Sequence, residues 1–282
     1  MNKEKWTEEI SSKRGLFDLR FKELWKYRDL ITTFVKRDIV STYKQTVLGP
    51  FWFFISPFFT VIMFTFVFST VAGIKTEGIP APIFYLTGTT LWNYFQTCFI
   101  TSSSTFLQNE GIFGKVYFPR LVSPISTVIS NLIKLGIQLV VLIMLICYFV
   151  FFEQYELQFN YYILLFPILV ILMAGIAMGV GILTSAVTSK YRDIQMFISF
   201  GIGLLMYATP VIYPISQVPE KFRIYLMLNP ISPIIETFRY SIFGVGTFSW
   251  IFLAYSAVFM IVTLFVGIIV FNQVEKSFMD TI

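Results

Sequence analysis

A stripe of polar side chains runs along one otherwise apolar segment of the chain. Polar residues follow one another at intervals of four, three and four positions at Thr127, Asn131, Lys134 and Gln138. This spacing places them on one face of an α-helix. Because a charge inside a membrane is costly unless it faces protein or a water-filled route, we interpret Asn131, Lys134 and Gln138 as part of a transport pathway or of a contact between subunits. The alternative is that Lys134 extends its long side chain to the inner headgroups.

A second polar pair, Glu236 and Arg239, interrupts a different apolar segment. Their i,i+3 spacing lets them form an ion pair on one helix, which lowers the cost of burying either charge. The surrounding stretch from Tyr213 to Trp250 is rich in Ile, Leu and Phe, yet four prolines divide it. This stretch therefore predicts two short helices that re-enter the outer leaflet without crossing it.

Several residue types and motifs that other chemistries require are missing. The chain has no histidine and only two cysteines, Cys98 and Cys147, both in apolar segments, so neither a zinc site nor a disulfide framework is expected. The absence of a G-x-x-x-x-G-K-[ST] motif excludes a P-loop for ATP in this chain. Acidic residues within or beside the segments long enough to span a membrane lie only at their edges, which argues against a proton-coupled carrier. Energised transport would therefore need a partner protein.

The apolar residues gather into six blocks, each long enough to cross a bilayer, which takes about 20 helical residues. The chain of 282 residues is 56% hydrophobic and 13% charged, with a mean hydropathy of +0.74, values typical of membrane proteins. The predicted spans are residues 51–73, 83–106, 121–152, 161–188, 194–213 and 250–271. The predicted architecture is an all-α polytopic membrane protein. Its predicted parts are a cytoplasmic segment 1–50, a six-span domain 51–271 and a cytoplasmic tail 272–282.

The distribution of positive charge predicts the orientation of these spans. With the N-terminus inside, 16 of the 21 Lys and Arg residues fall on the cytoplasmic side and four fall outside. Short cytoplasmic loops are enriched in Lys and Arg. Both termini are therefore predicted to be cytoplasmic.

Residues 20–45 predict an amphipathic helix of another kind, which would lie along the inner membrane surface. Its apolar arc is interrupted by Arg28 and Asp38 and consists of Leu24, Tyr27, Ile31, Phe34, Val35 and Ile39. The opposite face is basic, and Arg37 and Lys44 lie nearest the Gly49–Pro50 turn into the bilayer. Their positive charge would attract an anionic headgroup. The alternative is a helix that only anchors the chain to lipid.

Short motifs along the chain resemble a known family of permeases. They are the runs Thr42 to Trp52, Lys115 to Arg120, Tyr191 to Asp193, Ala208 to Pro214, Val218 to Glu220 and Leu228 to Pro230. In this order and spacing they resemble the permease subunit of ATP-binding-cassette (ABC) exporters for O-antigen, teichoic acid and related polysaccharides. The similarity extends from about residue 20 to the C-terminal end.

The resemblance implies a half-transporter that dimerises in the inner or plasma membrane of a bacterium. Each copy would dock a separate ATPase subunit that binds ATP and Mg, so this chain would hold no cofactor and would not be an enzyme. The other implied partners are membrane lipids and a glycan on an isoprenoid diphosphate or similar lipid, with no nucleic acid. The sequence itself leaves the dimer open, because Gly175, Gly179 and Gly181 could pack helices within a subunit or between two.

The resemblance also implies roles for individual positions. It maps a gate helix onto residues 24–44, a coupling segment onto 109–120 and the outer re-entrant helices onto 219–244. Candidates for contact with the substrate headgroup are Arg37, Tyr43, Lys44 and Trp52. Candidates for contact with the ATPase are Glu110, Lys115, Tyr117, Arg120, Arg192 and Asp193. Glu236 and Arg239 would form the pair on the outer re-entrant helices.

Two other functions stay open at this point. The same permease architecture could export drugs or small lipids, which would change the substrate and not the mechanism. A membrane-embedded glycan-modifying enzyme, such as an acyl- or glycosyltransferase, would need acid or base residues at a membrane face. The chain has no histidine for such a role, which argues against the enzyme.

Overall fold

The computed structural model describes residues 21–44, 49–113, 116, 118–158, 160–191 and 193–279, and this part of the chain is helical without a strand. Its α-helices are α1 (Phe21–Lys26), α2 (Arg28–Tyr43), α3 (Trp52–Phe64), α4 (Ala81–Ser103), α5 (Thr105–Phe113), α6 (Val122–Phe152), α7 (Phe166–Thr188), α8 (Ile194–Tyr207), α9 (Glu220–Met227), α10 (Ser232–Phe243) and α11 (Trp250–Met279). A π-helical stretch, Thr65–Val71, continues α3, and a 3-10 turn, Tyr161–Leu165, leads into α7. The predicted all-α class is confirmed.

Four helical stretches in the described ranges are long and apolar enough to cross a membrane. They are Trp52–Val71, Val122–Phe152, Tyr161–Thr188 and Trp250–Val274. These stretches agree with the first, third, fourth and sixth predicted spans, and a multi-pass membrane protein is confirmed. The other two predicted spans coincide in part with α4, which has 23 residues of mixed polarity, and with α8, which has 14 residues.

Helix α4 packs against both α6 and α7 and forms the centre of the bundle. Sixteen of its residues are buried. Its threonine hydroxyls donate to carbonyl oxygens one turn earlier, from Thr87 to Ile83 and from Thr90 to Leu86, both at 2.7 Å. Because their hydroxyls are satisfied within the helix, these threonines lie against protein without losing hydrogen bonds.

Glycines bring α7 close to its neighbours. A Cβ at Gly179 would lie 2.8 Å from the backbone nitrogen of Leu264 in α11, and one at Gly181 would lie 2.5 Å from the Cβ of Ser102 in α4. Gly175 also faces α11. These approaches leave no room for a side chain, so the small residues of α7 pack helices within one chain.

Helix α2 packs against α6 and against an aromatic cluster that joins distant parts of the sequence. The ring of Phe34 meets that of Phe118 edge-on at 5.6 Å between centroids. Phe106 of α5 stacks on Phe271 of α11 at 4.6 Å in the same cluster. Leu24 and Phe34, two members of the predicted apolar arc, are buried there. This packing fixes where α2 presents its polar residues.

Candidate functional site

A polar cavity of about 170 Å³ lies between α2, α4, α5 and α6. Except for two isoleucines, its lining is polar or charged, and the charged residues are Arg37, Asp38 and Lys134. The cavity brings Arg37 of the predicted gate helix together with Asn131 and Lys134 of the predicted polar stripe. Such a cavity in a largely apolar molecule can hold a charged or hydrated group.

Arg37 is held in a defined orientation at this cavity. Its Nε and Nη2 donate to Oδ1 of Asp38 at 3.0 and 2.9 Å, and its Nη1 donates to Oδ1 of Asn109 at 3.4 Å. The guanidinium carbon also lies 4.5 Å from the centre of the Phe34 ring, a cation–π distance. The planar fork of the guanidinium is therefore fixed by groups on α2 and α5.

Asn109 on α5 is itself fixed by hydrogen bonds. Its Nδ2 donates to the carbonyl oxygen of Thr105 at 2.9 Å and to Oγ of Ser123 at 2.8 Å. Only 4% of its surface is exposed. These two donations leave Oδ1 to accept from Arg37, so Asn109 connects α2, α5 and the start of α6.

The polar stripe of α6 is divided between the cavity and the region beyond it. Asn131 lines the cavity and donates from Nδ2 to Sγ of Cys98 at 3.7 Å. Lys134 also lines the cavity, and its ammonium lies 6.0 Å from the centre of the Phe53 ring on α3. Gln138 is not part of the lining, and its Oε1 is buried without a hydrogen-bond partner among the described residues.

The remaining candidate headgroup residues differ in placement from Arg37. Lys44 follows the end of α2 with an exposed side chain and does not line the cavity. Trp52 is half exposed at the start of α3, beside a shallow groove that it shares with Phe59. Tyr43 belongs to α2, and its side chain lies outside the described part. Of the four candidates, the structure therefore brings Arg37 to the cavity.

The candidate residues for ATPase contact lie near the end of α5 and the start of α8. Arg120 is 4% exposed, with its guanidinium carbon 5.1 Å from the centre of the Phe113 ring, so its charge is not presented at the surface. The Asp193 carboxylate accepts from the backbone N–H of Ile194 at 3.1 Å, at the first turn of α8. The other candidates, namely the Glu110 side chain, Lys115, Tyr117 and Arg192, lie outside the part of the chain that the structure describes.

A second polar centre lies on α10. Arg239 Nη1 donates to Glu236 Oε1 at 2.9 Å, and the two side chains are 0% and 1% exposed. Nη2 donates to the carbonyl oxygen of Val211 at 3.3 Å, and the guanidinium carbon lies 3.8 Å from the centre of the Phe84 ring. The structure thus places this pair where α10 packs against α4 and against the segment that follows α8.

Other residues around this pair could not be anticipated from the sequence. The backbone N–H of Thr247 donates to Oε2 of Glu236 at 3.4 Å. Glu77, in the loop before α4, interacts electrostatically with both charges. A Cβ on Gly88 would lie 3.0 Å from Nη2 of Arg239, so α4 needs a glycine at this approach. The pair therefore connects three separate loops to α4.

Sequence reasoning missed Asp38 and Asn109 as residues of the cavity. The signal for Asp38 was its position, because an acidic residue interrupts the apolar arc of the predicted helix. Asn109 had no comparable signal, since its contact with Arg37 depends on how α5 packs beside α2 and α6.

Comparison with known proteins identifies the family. The sequence profile of the ABC-2 type transporter family matches residues 29–243. The O-antigen export system permease protein RfbA of Klebsiella pneumoniae is 27% identical over 252 residues, which are 89% of this chain and 94% of the relative. RfbA of Myxococcus xanthus is 27% identical over 221 residues, 77% and 82% of the two chains. The polysialic acid transport protein KpsM of Escherichia coli is 24% identical over 249 residues, 87% and 93% of the two chains.

The family match extends over more than half of the chain and includes the residues of both polar centres named above, apart from Thr247. It begins in α2, one residue after Arg28, and ends with α10 at Phe243. The elements that build the cavity therefore all lie within the matched region. The chain belongs to the ABC-2 type transporter family.

Proposed function

We propose that this chain is the transmembrane subunit of an ABC exporter that moves a lipid-linked polysaccharide across the inner or plasma membrane of a bacterium. The observation that carries the proposal is its similarity to permeases named for O-antigen export and for polysialic acid transport, over 89% and 87% of the chain. Because the sequence has no P-loop, a separate ATPase subunit would bind ATP and Mg. The chain itself acts as a permease and not as an enzyme.

A six-span arrangement with both termini cytoplasmic is the topology we propose. The 23 residues of α4 would extend about 34 Å at about 1.5 Å per residue, and burial against α6 and α7 keeps its polar residues away from lipid. The 14 residues of α8, continued by residues 208–213, would complete the fifth crossing. Helix α2 would lie at the inner surface, and α9 and α10 would re-enter the outer leaflet. The excess of Lys and Arg on the inner side supports this orientation.

A second copy of the chain would complete the pathway, because a route wide enough for a hydrated glycan needs walls from two bundles. Large apolar side chains are exposed along α3 and α8, and they provide a face for that copy. Examples are Phe58 at 59%, Phe59 at 60%, Met196 at 79%, Phe197 at 72% and Phe200 at 68%. The exporter would then contain two permease chains and two ATPase subunits.

The cavity at Arg37 and Lys134 would receive the diphosphate of the lipid carrier. A guanidinium binds phosphate oxygens through two parallel hydrogen bonds, and an ammonium adds a second positive charge. Lys44, with Tyr43 and Trp52, would contact the carrier on its approach from the inner surface. From Asn131, which lines the cavity, the polar route would continue along α6 to Gln138.

Replacing Arg37 and Lys134 together with glutamine is expected to lower export by about tenfold or more, because each charged hydrogen bond contributes about 1.5–3 kcal/mol. Export is measured as surface polysaccharide in cells whose only copy of the gene encodes the variant, normalised to the amount of assembled protein. Lys36→Gln is the matched control, since Lys36 is an exposed cation on the same helix outside the cavity lining. Normal export by the double variant would show that the cavity is not part of the transport pathway.

The ATPase would contact the segment 109–120 together with Arg192 and Asp193. We expect a tagged form of the chain, purified from its native membrane in mild detergent, to bring a P-loop ATPase with it in equal stoichiometry. Mass spectrometry identifies the partner, and quantitative staining gives the ratio. Reproducible absence of such a partner would contradict the exporter and favour a membrane-embedded enzyme or a passive channel.

A further inference from the structure

One phosphate-binding edge of Arg37 is occupied by a carboxylate of the same chain. Nε and Nη2 form one of the two edges through which a guanidinium pairs with oxyanions, and both donate to Oδ1 of Asp38. Nη1 is engaged separately, by Asn109. A phosphate could therefore reach this edge only by taking the place of Asp38.

The charges around the cavity fit such an exchange. Asp38 shares the cavity with Lys134 and interacts with it electrostatically. With Asp38 in place, one of the two positive charges is compensated. When Asp38 turns away, both cations face the cavity and match a group with at least two negative charges.

The exchange requires a weak contact at Asp38 and an acceptor at Asn109 that stays in position. The side chains of Arg37 and Asp38 are 41% and 26% exposed, and partly exposed ion pairs are weak. Asn109 is buried and held by Thr105 and Ser123, so its Oδ1 stays in position to accept from Nη1, at 3.4 Å, after Asp38 leaves. The site would stay shaped for an anion throughout the exchange.

We propose that Asp38 is an intramolecular competitor that occupies the diphosphate subsite of the empty transporter and is displaced by the diphosphate of the lipid carrier. This inference rests on the proposed function, which supplies the diphosphate. Its consequence is that the empty cavity discriminates against small free anions. A carrier lipid gains additional binding from its apolar tail in the bilayer, and this gain offsets the displacement of Asp38.

The test is the affinity of the full-length chain in lipid nanodiscs for farnesyl diphosphate, measured by titration calorimetry. Asp38→Asn is expected to raise the affinity about fivefold, because removal of a weak competing ion pair changes binding by that order. Asp38→Glu, which restores the carboxylate, is expected to bind as the native chain does. Asp29→Asn is the matched control, because Asp29 is an almost fully exposed acid on the same helix.

The double variant Arg37→Gln/Asp38→Asn separates displacement from a general effect of charge. If Asp38 acts through Arg37, the gain from Asp38→Asn disappears in the Arg37→Gln background. A gain of the same size in both backgrounds would overturn the proposal. An unchanged affinity of Asp38→Asn, together with weaker binding by Arg37→Gln, would overturn it as well while leaving the proposed headgroup site intact.

Two further outcomes identify the source of the diphosphate. Inorganic pyrophosphate is expected to bind at least tenfold more weakly than farnesyl diphosphate, because it has no apolar tail. Equal binding of the two would overturn the assignment of the site to a lipid headgroup. If no form of the chain binds farnesyl diphosphate, the inference fails together with the diphosphate-linked substrate of the proposed function.

Discussion

Replacing Arg239 with methionine is expected to lower the free energy of unfolding by about 3–5 kcal/mol, the order found when one member of a buried ion pair is removed. The carboxylate of Glu236 would remain 1% exposed without its main counter-charge. Glu77 would add a second negative charge to the same region. The variant should therefore denature at a distinctly lower temperature in detergent, followed by the fluorescence of the five tryptophans.

Two further variants decide whether the uncompensated charge is the cause. Arg239→Met combined with Glu236→Gln should recover much of the loss, because neither side chain of the pair is then charged. Lys221→Gln is the matched control, since Lys221 is an exposed cation on α9 and its loss should change stability by less than about 0.5 kcal/mol. Native-like stability of Arg239→Met would show that this pair does not hold α10 in place.

Replacing Gly179 with valine is expected to destabilise the protein by about 3 kcal/mol, the upper part of the range for overpacked interiors. Even the Cβ would lie 2.8 Å from the backbone nitrogen of Leu264 and 2.8 Å from Oγ1 of Thr263. Backbone atoms cannot turn aside as a flexible side chain can, so α7 and α11 would have to separate. The amount of monodisperse protein after extraction and its denaturation temperature both measure this effect.

Gly136→Val is the matched control for the helix contact. Gly136 also lies inside a long apolar helix, α6, but an added Cβ meets nothing within 4 Å. Because valine has a higher helix propensity than glycine, this variant should be as stable as the native chain. Equal destabilisation at the two positions would mean that the close approach of α7 and α11 is not what requires glycine at Gly179.

The helices were predictable from the sequence wherever apolar residues dominated a long stretch. The third predicted span, residues 121–152, matches α6 (Val122–Phe152) almost to the residue, because apolar residues dominate the segment on either side of its polar stripe and no proline follows Pro124. Helix α4 was harder to interpret, since Thr87, Thr90 and other polar residues lower its hydropathy. Its place at the centre of the bundle depends on burial against α6 and α7, which no local pattern encodes.

The candidate site was predictable only within single helices. The i,i+4 spacing of Thr127 and Asn131, and of Lys134 and Gln138, defines a face of α6 by geometry alone. Whether Arg37 joins that face depends on the packing of α2 through Phe34 against Phe118, which lies far along the chain. The same limit applied to Asn109 and Glu77, whose partners come from other helices.

The small residues of α7 are a further case in which the sequence indicates a contact without its partner. The spacing of Gly175 and Gly179 indicates a close helix contact, but it does not identify the partner helix. The structure places α11 there, within the same chain. The proposed contact between copies would then use other surfaces, and the exposed apolar faces of α3 and α8 are available for it.

If this chain, with an ATPase, moves a lipid-linked polysaccharide across a membrane, the purified components should reproduce that movement. The most direct test reconstitutes the purified pair in liposomes whose outer leaflet, standing for the cytoplasmic side, contains a fluorescently labelled lipid-linked glycan. The fraction of label protected from an added glycosidase is followed with time. We predict protection that requires ATP, the ATPase and the native cavity, and that decreases with Arg37→Gln/Lys134→Gln. ATP hydrolysis that protects no glycan but moves a drug or a small lipid would contradict the account.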